Sequence, residues 1–259
     1  MNTLIVIPAR YQSSRFLGKP LALLQGKPMI WHVWSRATQI KMANKVIVAT
    51  DDNRIADTVS AFGGEVIITS TRPCTGSDRV AEVAASHAAE LVVNLQGDLP
   101  LFRPNVIDRL IEEGGQKIKL RGTDLVTLYA KIDKEEEIFS PNTVKLVRND
   151  QGEILYFSRS PIPYLEQGAS SPCPVGYYKH YGVYLYHREF LLKIANCPEG
   201  ALERMERLEQ LRVLERGGRV WAIAIDQEEA QGFCEVNTPD DLILANKMLD
   251  ISTKQIGDK

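Results

Sequence analysis

The chain has 259 residues with a formal net charge of −2; 44% of the residues are hydrophobic and 25% are charged. That length buries a sizeable core in one large domain or two small ones. The charge balance excludes a protein devoted to coating nucleic acid, and the composition excludes disordered and fibrous classes.

The first apolar run, residues 4–9, lacks the basic lead and small-residue cleavage site of a signal peptide and reads as a strand. Residues 45–50 and 91–95 are similar short runs, apolar on both faces, which suits strands buried in a parallel sheet. Helical periodicity covers residues 29–40, 53–62 and 78–89. Asp51 and Asp52 are natural caps for the second helix, Gly63-Gly64 stops it, and Ser77 or Asp78 caps the third. No element is assigned between Leu95 and Leu125.

Residues 125–130, 144–148 and 154–157 read as strands, and 161–174 as a loop rich in Gly, Ser and Pro. An aromatic, alternating stretch at 181–186 suits an antiparallel strand. A helix over 203–216, a strand over 220–225 and a helix over 239–249 capped by Thr238 complete the chain. Alternating strands and helices predict one α/β domain over 1–259 with a mostly parallel, Rossmann-like sheet. The strand at Val220 rejoins that sheet, and about 140–200 forms a smaller antiparallel insertion.

Cys74, Cys173, Cys197 and Cys234 form no C-x-x-C pair and are expected as free thiols in a reducing compartment. No apolar run reaches the roughly 18 residues of a membrane span, so a cytoplasmic protein without membrane or nucleic-acid partners is expected. His32, His87 and His187 read as packed histidines, not catalysts.

Ligands of open α/β sheets bind beyond the carboxyl ends of strands. The first such loop, residues 8–20, carries Arg10, Arg15, Lys19, Ser13 and Ser14, charge-assisted donors for a polyanion such as a triphosphate. Gly18 lets backbone approach beside Lys19. Pro20 after Gly18-Lys19 excludes a P-loop, and no dinucleotide fingerprint is present. A solvated basic loop is the competing reading. Gln96-Gly97-Asp98 ends a buried strand. There Asp98 suits Mg²⁺, Gln96 a base edge and Gly97 close approach, unless Asp98 simply caps the next turn.

Several ordered blocks then carry a resemblance: Ile7-Pro8-Ala9-Arg10-Tyr11, Gly18-Lys19-Pro20-Leu21, Gly26-Lys27-Pro28-Met29-Ile30, Val48-Ala49-Thr50-Asp51-Asp52, Thr75-Gly76-Ser77-Asp78-Arg79, Asn94-Leu95-Gln96-Gly97-Asp98, Tyr156-Phe157-Ser158-Arg159-Ser160 and Leu208-Glu209-Gln210-Leu211-Arg212. The chain resembles the 3-deoxy-manno-octulosonate (Kdo) cytidylyltransferases, or CMP-Kdo synthetases, over nearly its whole length. The resemblance implies a nucleotide-diphospho-sugar-transferase-like fold and a cytoplasmic homodimer. It implies Mg²⁺, with Mn²⁺ as an alternative, and CMP transfer from CTP to an acidic sugar for lipopolysaccharide synthesis. That sugar is Kdo or a close analogue such as 8-amino-Kdo.

By the same resemblance, Arg10, Arg15, Lys19 and Asp98 are the catalytic set, the three cations meeting the triphosphate. Pro8, Ala9, Arg10, Lys19, Thr75, Gly76, Ser77, Arg79, Gln96 and Gly97 would hold the nucleotide. Arg159, His180, Tyr184, Glu209 and Gln210 would hold the sugar, and the segment around 140–200 would serve sugar binding and dimerisation. Asp98 and Asn237 would be the metal ligands.

Three positions depart from the family pattern: Leu17 where proline is usual, Leu99 where glutamate is common, and Asn237 where an aspartate stands. Losing both acids motivates two competing readings, another acidic acceptor or a CTP-binding paralogue with weakened catalysis. Asn237→Asp is expected to lower the Mg²⁺ concentration giving half-maximal rate; an unchanged metal titration would remove the significance given to Asn237.

Overall fold

The computed structural model describes residues 1–13, 15–71, 75–164 and 176–257, with side chains described as far as residue 250. Ser14, Cys74, Cys173 and most of the 161–174 loop lie outside the described residues.

Strand β1 (Thr3–Ala9) is buried along its whole length. Its alternation divides it between two cores: Ile5, Ile7 and Ala9 pack on one side, Leu4 and Val6 on the other. A hairpin, β2 (Leu23–Leu24) and β3 (Lys27–Pro28), leads into α1 (Met29–Ala37), β4 (Lys45–Thr50), α2 (Asn53–Ala61) and β5 (Val66–Ile68). Asp52 caps α2 as expected, its carboxylate accepting from Arg54 N–H. Helix α3 (Gly76–Ala85) returns the chain to β6 (Leu91–Leu95), which pairs with the other edge of β1. Its cap is Thr75, not Ser77 or Asp78. Thr75 Oγ1 accepts Asp78 N–H at 3.1 Å while Asp78 Oδ2 accepts Thr75 N–H at 3.0 Å.

The second half follows as α4 (Pro104–Arg121), β7 (Leu125–Lys131), α5 (Glu135–Phe139), β8 (Lys145–Arg148), β9 (Ile154–Ser158) and β10 (Tyr178–His187). Helices α6 (Arg188–Ala195), α7 (Ala201–Glu206) and α8 (Leu211–Glu215), then β11 (Val220–Ala224), α9 (Gln227–Gln231) and α10 (Pro239–Gly257), end the chain. The nine-stranded sheet has the main order β11-β7-β10-β6-β1-β4-β5, with β8 and β9 branching from β10. Strands β1, β4, β5 and β6 are mutually parallel, and β11 rejoins through parallel pairing with β7. The antiparallel segment enters the main sheet itself, because β10 runs antiparallel between β6 and β7. Among the described residues no helix is long and apolar enough to cross a membrane.

Two expectations fail. Residues 203–216 are not one helix: Arg207 takes a left-handed conformation (φ 54°) after α7, and α8 starts only at Leu211. Arg212 holds the two halves, donating to Glu203 and to Asp78 at 2.7 Å each. The unassigned stretch after Leu95 contains α4, which buries Val106, Ile107, Leu110, Ile111 and Ile118 at helical spacing. Gly114 and Gly115 lie inside this helix, against the sheet. A Cβ on Gly114 would come 2.7 Å from Leu185 Cδ2, and one on Gly115 2.5 Å from Met1 Cε.

These contacts separate two substitutions. Gly114→Ala should lower stability by about 1 kcal/mol, because overpacking a core of Leu185 and Val126 outweighs helix propensity. Gly115→Ala meets the exposed, movable Met1 and, at 3.2 Å, Cδ1 of buried Leu91, and should cost less than Gly114→Ala. Denaturant midpoints of the two variants check the order.

Candidate active site

The chain runs out from β1 to β4 and β5 and then crosses to β6 on the opposite side of β1. The carboxyl ends of β1 and β6 therefore meet at a switch point of the sheet, where open α/β folds form a crevice. Gly97 keeps those ends close: a Cβ there would lie 2.8 Å from Pro8 O. The close approach predicted for Gly97 is thus to the protein's own backbone.

Beyond β1 the basic loop folds back on itself. Gly18 has φ +67°, and its N–H donates to Tyr11 O at 2.9 Å. Arg54 stacks on the Tyr11 ring, 3.3 Å from its centroid. The turn delivers Lys19 Nζ to Asp98 Oδ2 at 2.6 Å and to Asn237 Oδ1 at 3.3 Å. Arg15 also donates to Asn237 Oδ1, at 3.0 Å, and Arg10 donates to Thr75 O at 2.8 Å.

Three adjoining cavities form one cleft. The first, about 350 Å³, is walled by Pro8, Ala9, Arg10, Lys19, Gln96 and Gly97. Arg15, Gly76, Gln96 and Asp98 carry it into a second of about 440 Å³, which Thr75, Glu209 and Glu235 also line. Gly182, Tyr184, Glu235 and Asn237 carry that into a third of about 520 Å³, lined by Arg159, Lys179, His180 and Gln210. Pro8, Ala9, Arg10 and Lys19 thus line one end of a single groove and Arg159, His180 and Gln210 the other, with Thr75, Gly76, Gln96, Tyr184 and Glu209 around its middle.

Not every expected residue faces it. Ser77 Oγ lies 3.0 Å from Tyr186 Oη and accepts from Asn94 Nδ2 at 3.1 Å, beneath α3. Arg79 is 1% exposed, pairs with Asp51 at 2.8 Å and donates to Thr69, and lines none of the three cavities. One turn of helix explains this: Thr75 and Gly76 sit at the open N-terminus of α3, whereas Ser77 and Arg79 are rotated inward. Glu209 accepts Ser77 N–H at 3.0 Å, and burial raises its carboxyl. It lines the central cavity beside Thr75 and Gln96, apart from the wall that holds Arg159 and His180.

At the far end, Arg159 donates to the carbonyls of Glu206 and Pro141 at 2.8 Å each, and buried Lys145 donates to Arg159 O at 2.6 Å. Tyr184 Oη donates to Gln210 Oε1 at 3.1 Å. Gln210 is 1% exposed and its Nε2 has no protein partner. His180 Nε2 lies 3.0 Å from Thr127 Oγ1, whose own hydrogen goes to a strand carbonyl such as Val183 O at 2.8 Å. Nε2 therefore carries the ring hydrogen. Burial pushes the His180 pKa down to about 3, so the ring is neutral.

The departures also find places. Leu17 is exposed, and Leu99 is 2% exposed within the core, so an acid there would not face the groove. Sequence reading missed Glu235, which lines the central and far cavities together with Asn237. Burial first, and then repulsion by Asp98, raise its carboxyl.

A family model described as cytidylyltransferase matches residues 4–225. The 3-deoxy-manno-octulosonate cytidylyltransferase of Syntrophotalea carbinolica is 44% identical over 248 residues, 94% of this chain and 96% of the relative. That of Geobacter sulfurreducens is 43% identical over 249 residues, 93% of this chain and 97% of the relative. A solved CMP:2-keto-3-deoxy-manno-octonic acid synthetase complexed with CTP superposes with a TM-score of 0.87 at 38% identity, covering 97% of this chain and 100% of that one. The 4-diphosphocytidyl-2C-methyl-D-erythritol synthase of Anaerococcus prevotii shares only the fold, with a TM-score of 0.59 at 15% identity over 96% of this chain and 99% of that one. With near-complete coverage at this identity, the chain belongs to the 3-deoxy-manno-octulosonate cytidylyltransferase family.

Proposed function

We propose that the protein transfers CMP from CTP to the anomeric hydroxyl of Kdo and releases pyrophosphate, activating the sugar for lipopolysaccharide synthesis. The carrying observation is the single groove that joins a three-cation loop at one end to a polar, partly cationic cavity at the other. The relatives' activity and the CTP-bound neighbour support the same reading. The anomeric oxygen bonds to the α-phosphorus and gives up its proton to solvent as the bond from that phosphorus to the bridging oxygen breaks, and the leaving pyrophosphate takes the displaced charge. Such chemistry depends on alignment and charge neutralisation, not on a protein nucleophile.

In this reading Arg10, Arg15 and Lys19 meet the triphosphate, while Thr75, Gly76 and Gln96 border the nucleoside. The sugar carboxylate faces Arg159 and Lys179. Its hydroxyls complete Gln210 Nε2, a buried donor that costs free energy while unpaired. His180 receives the sugar as a neutral ring and takes no proton from it.

Magnesium fits the oxygen donors at the junction. The Lys19 ammonium already sits between Asp98 Oδ2 and Asn237 Oδ1, so these oxygens converge on a cation. Among the described residues no group of three or more His, Cys, Asp and Glu could hold an ion, which favours a metal completed by phosphate oxygens. When bound, Mg²⁺ would neutralise charge developing on the phosphates. The reading extends to a cytoplasmic homodimer. Free thiols at Cys197 and Cys234 support a reducing compartment, and exposed Phe139, Leu155 and Tyr164 on the antiparallel segment support association.

Pyrophosphate release with CTP and Mg²⁺ against a panel of ulosonic acids is expected with Kdo. Release only with another acid, 8-amino-Kdo included, would reassign the acceptor, and CTP binding without turnover on any acceptor would sink the enzymatic reading. A second expectation concerns His180. Unfolded histidine protonates near pH 6.5, whereas the folded ring stays neutral down to about 3. The unfolded chain thus binds the extra proton, and stability falls as pH drops from about 6.5. His180→Gln should flatten the unfolding-midpoint profile between about pH 6.5 and 5, above the carboxylate range.

A further inference from the structure

The segment Glu235-Val236-Asn237 is tied to the end of the Asp98 turn, since Val236 N–H donates to Asp98 O at 3.0 Å. Val236 is fully buried, while its neighbours Glu235 and Asn237 both line the central and far cavities. Asn237 is engaged at both ends of its amide. Oδ1 accepts from Arg15 and Lys19, and Nδ2 donates to Glu235 Oε2 at 2.9 Å. Lys19 in turn meets Asp98 at 2.6 Å. One chain of contacts, Asp98–Lys19–Asn237–Glu235, therefore places the Asp98 carboxylate and the Asn237 amide oxygen at a cationic nitrogen, with the Glu235 carboxylate next in line on the wall of the same cavity.

We infer that Glu235 supplies the second carboxylate of the divalent-cation set, with Asp98 as the first and Asn237 as a neutral oxygen beside them. This rests on the Mg²⁺ reading above. Asparagine at 237 contributes no charge, and Glu235 restores it from two places away on the same cavity wall. The amide at 237 suits that neighbour: it donates to Glu235, whereas a carboxylate there would repel it. Two carboxylates completed by phosphate oxygens are the donor set magnesium favours.

The test uses Mn²⁺ as the probe, with CTP present and the acceptor omitted so that nothing turns over. Water-proton relaxation reads the Mn²⁺ held by the enzyme–CTP complex above that held by CTP alone. Glu235→Gln should weaken Mn²⁺ by about tenfold or more, since affinity follows the number of ligand charges. Asp98→Asn should weaken it at least as much, and the double variant Glu235→Gln/Asn237→Asp should recover most of the loss. Loss in Asp98→Asn with native affinity in Glu235→Gln overturns the role of Glu235 and leaves the metal reading intact. A double variant as weak as Glu235→Gln alone overturns the proposal too, because charge placed at 237 should substitute for charge at 235. No enzyme-dependent Mn²⁺ in the unsubstituted complex overturns the metal reading and the proposal together.

Discussion

Everything in this molecule hangs on β1 being buried on both faces and parallel to both neighbours. A strand so placed cannot end at an edge, and its partners β4 and β6 must point their carboxyl ends the same way. The loops that follow β1 and β6 then emerge side by side, with Gly97 allowing one to touch the other. Lys19 and Asp98, far apart in sequence, come within 2.6 Å for that reason. The cationic loop is a consequence of sheet order before it is a consequence of its own residues.

The cations of the groove are held in a way that keeps them available. Arg15 donates to the Asn237 amide oxygen and Arg159 to carbonyls of Glu206 and Pro141, partners without net charge. Arg79 and Arg212, which line none of the three cavities, are by contrast paired with carboxylates and serve the fold. An incoming polyanion displaces a neutral carbonyl more readily than a carboxylate, because charge-assisted bonds are the stronger ones. Lys19 and Lys179 are the exceptions in the groove: Lys179 pairs with Glu137 at 2.8 Å, and the carboxylate partner of Lys19 is one that a bound metal would claim.

Legibility in the sequence followed burial. The first-half strands stood out as unbroken apolar runs, and the loops at their ends could be placed from them. Helix α4 goes unassigned in the sequence; its Gly114 and Gly115 answer to Leu185 and Met1 across the interface, a packing that the local sequence does not display. No Gly or Pro announces the break at Arg207; the tertiary pairing of Arg212 with Glu203 and Asp78 accompanies it. The site residues were legible as a set but not in orientation, since whether Ser77 or Arg79 faces the groove depends on the phase of α3. Glu235 escaped because its meaning lies in what surrounds it in space. It is one acid among the Asp and Glu residues of a chain with 33 of them.

Strand β10 gives the two halves of the reaction a common ruler. It lies antiparallel beside β6 with Tyr184 opposite Asn94, two residues before Gln96. Its pairing with β7 shifts register between Tyr181 and Leu185, the stretch that turns Gly182 and Tyr184 toward the groove. The walls proposed for the acceptor and for the nucleotide are therefore rungs of one hydrogen-bonded ladder, not parts of two bodies that must find each other. Their mutual placement is set when the chain folds, so binding energy need not be spent on bringing the two walls together.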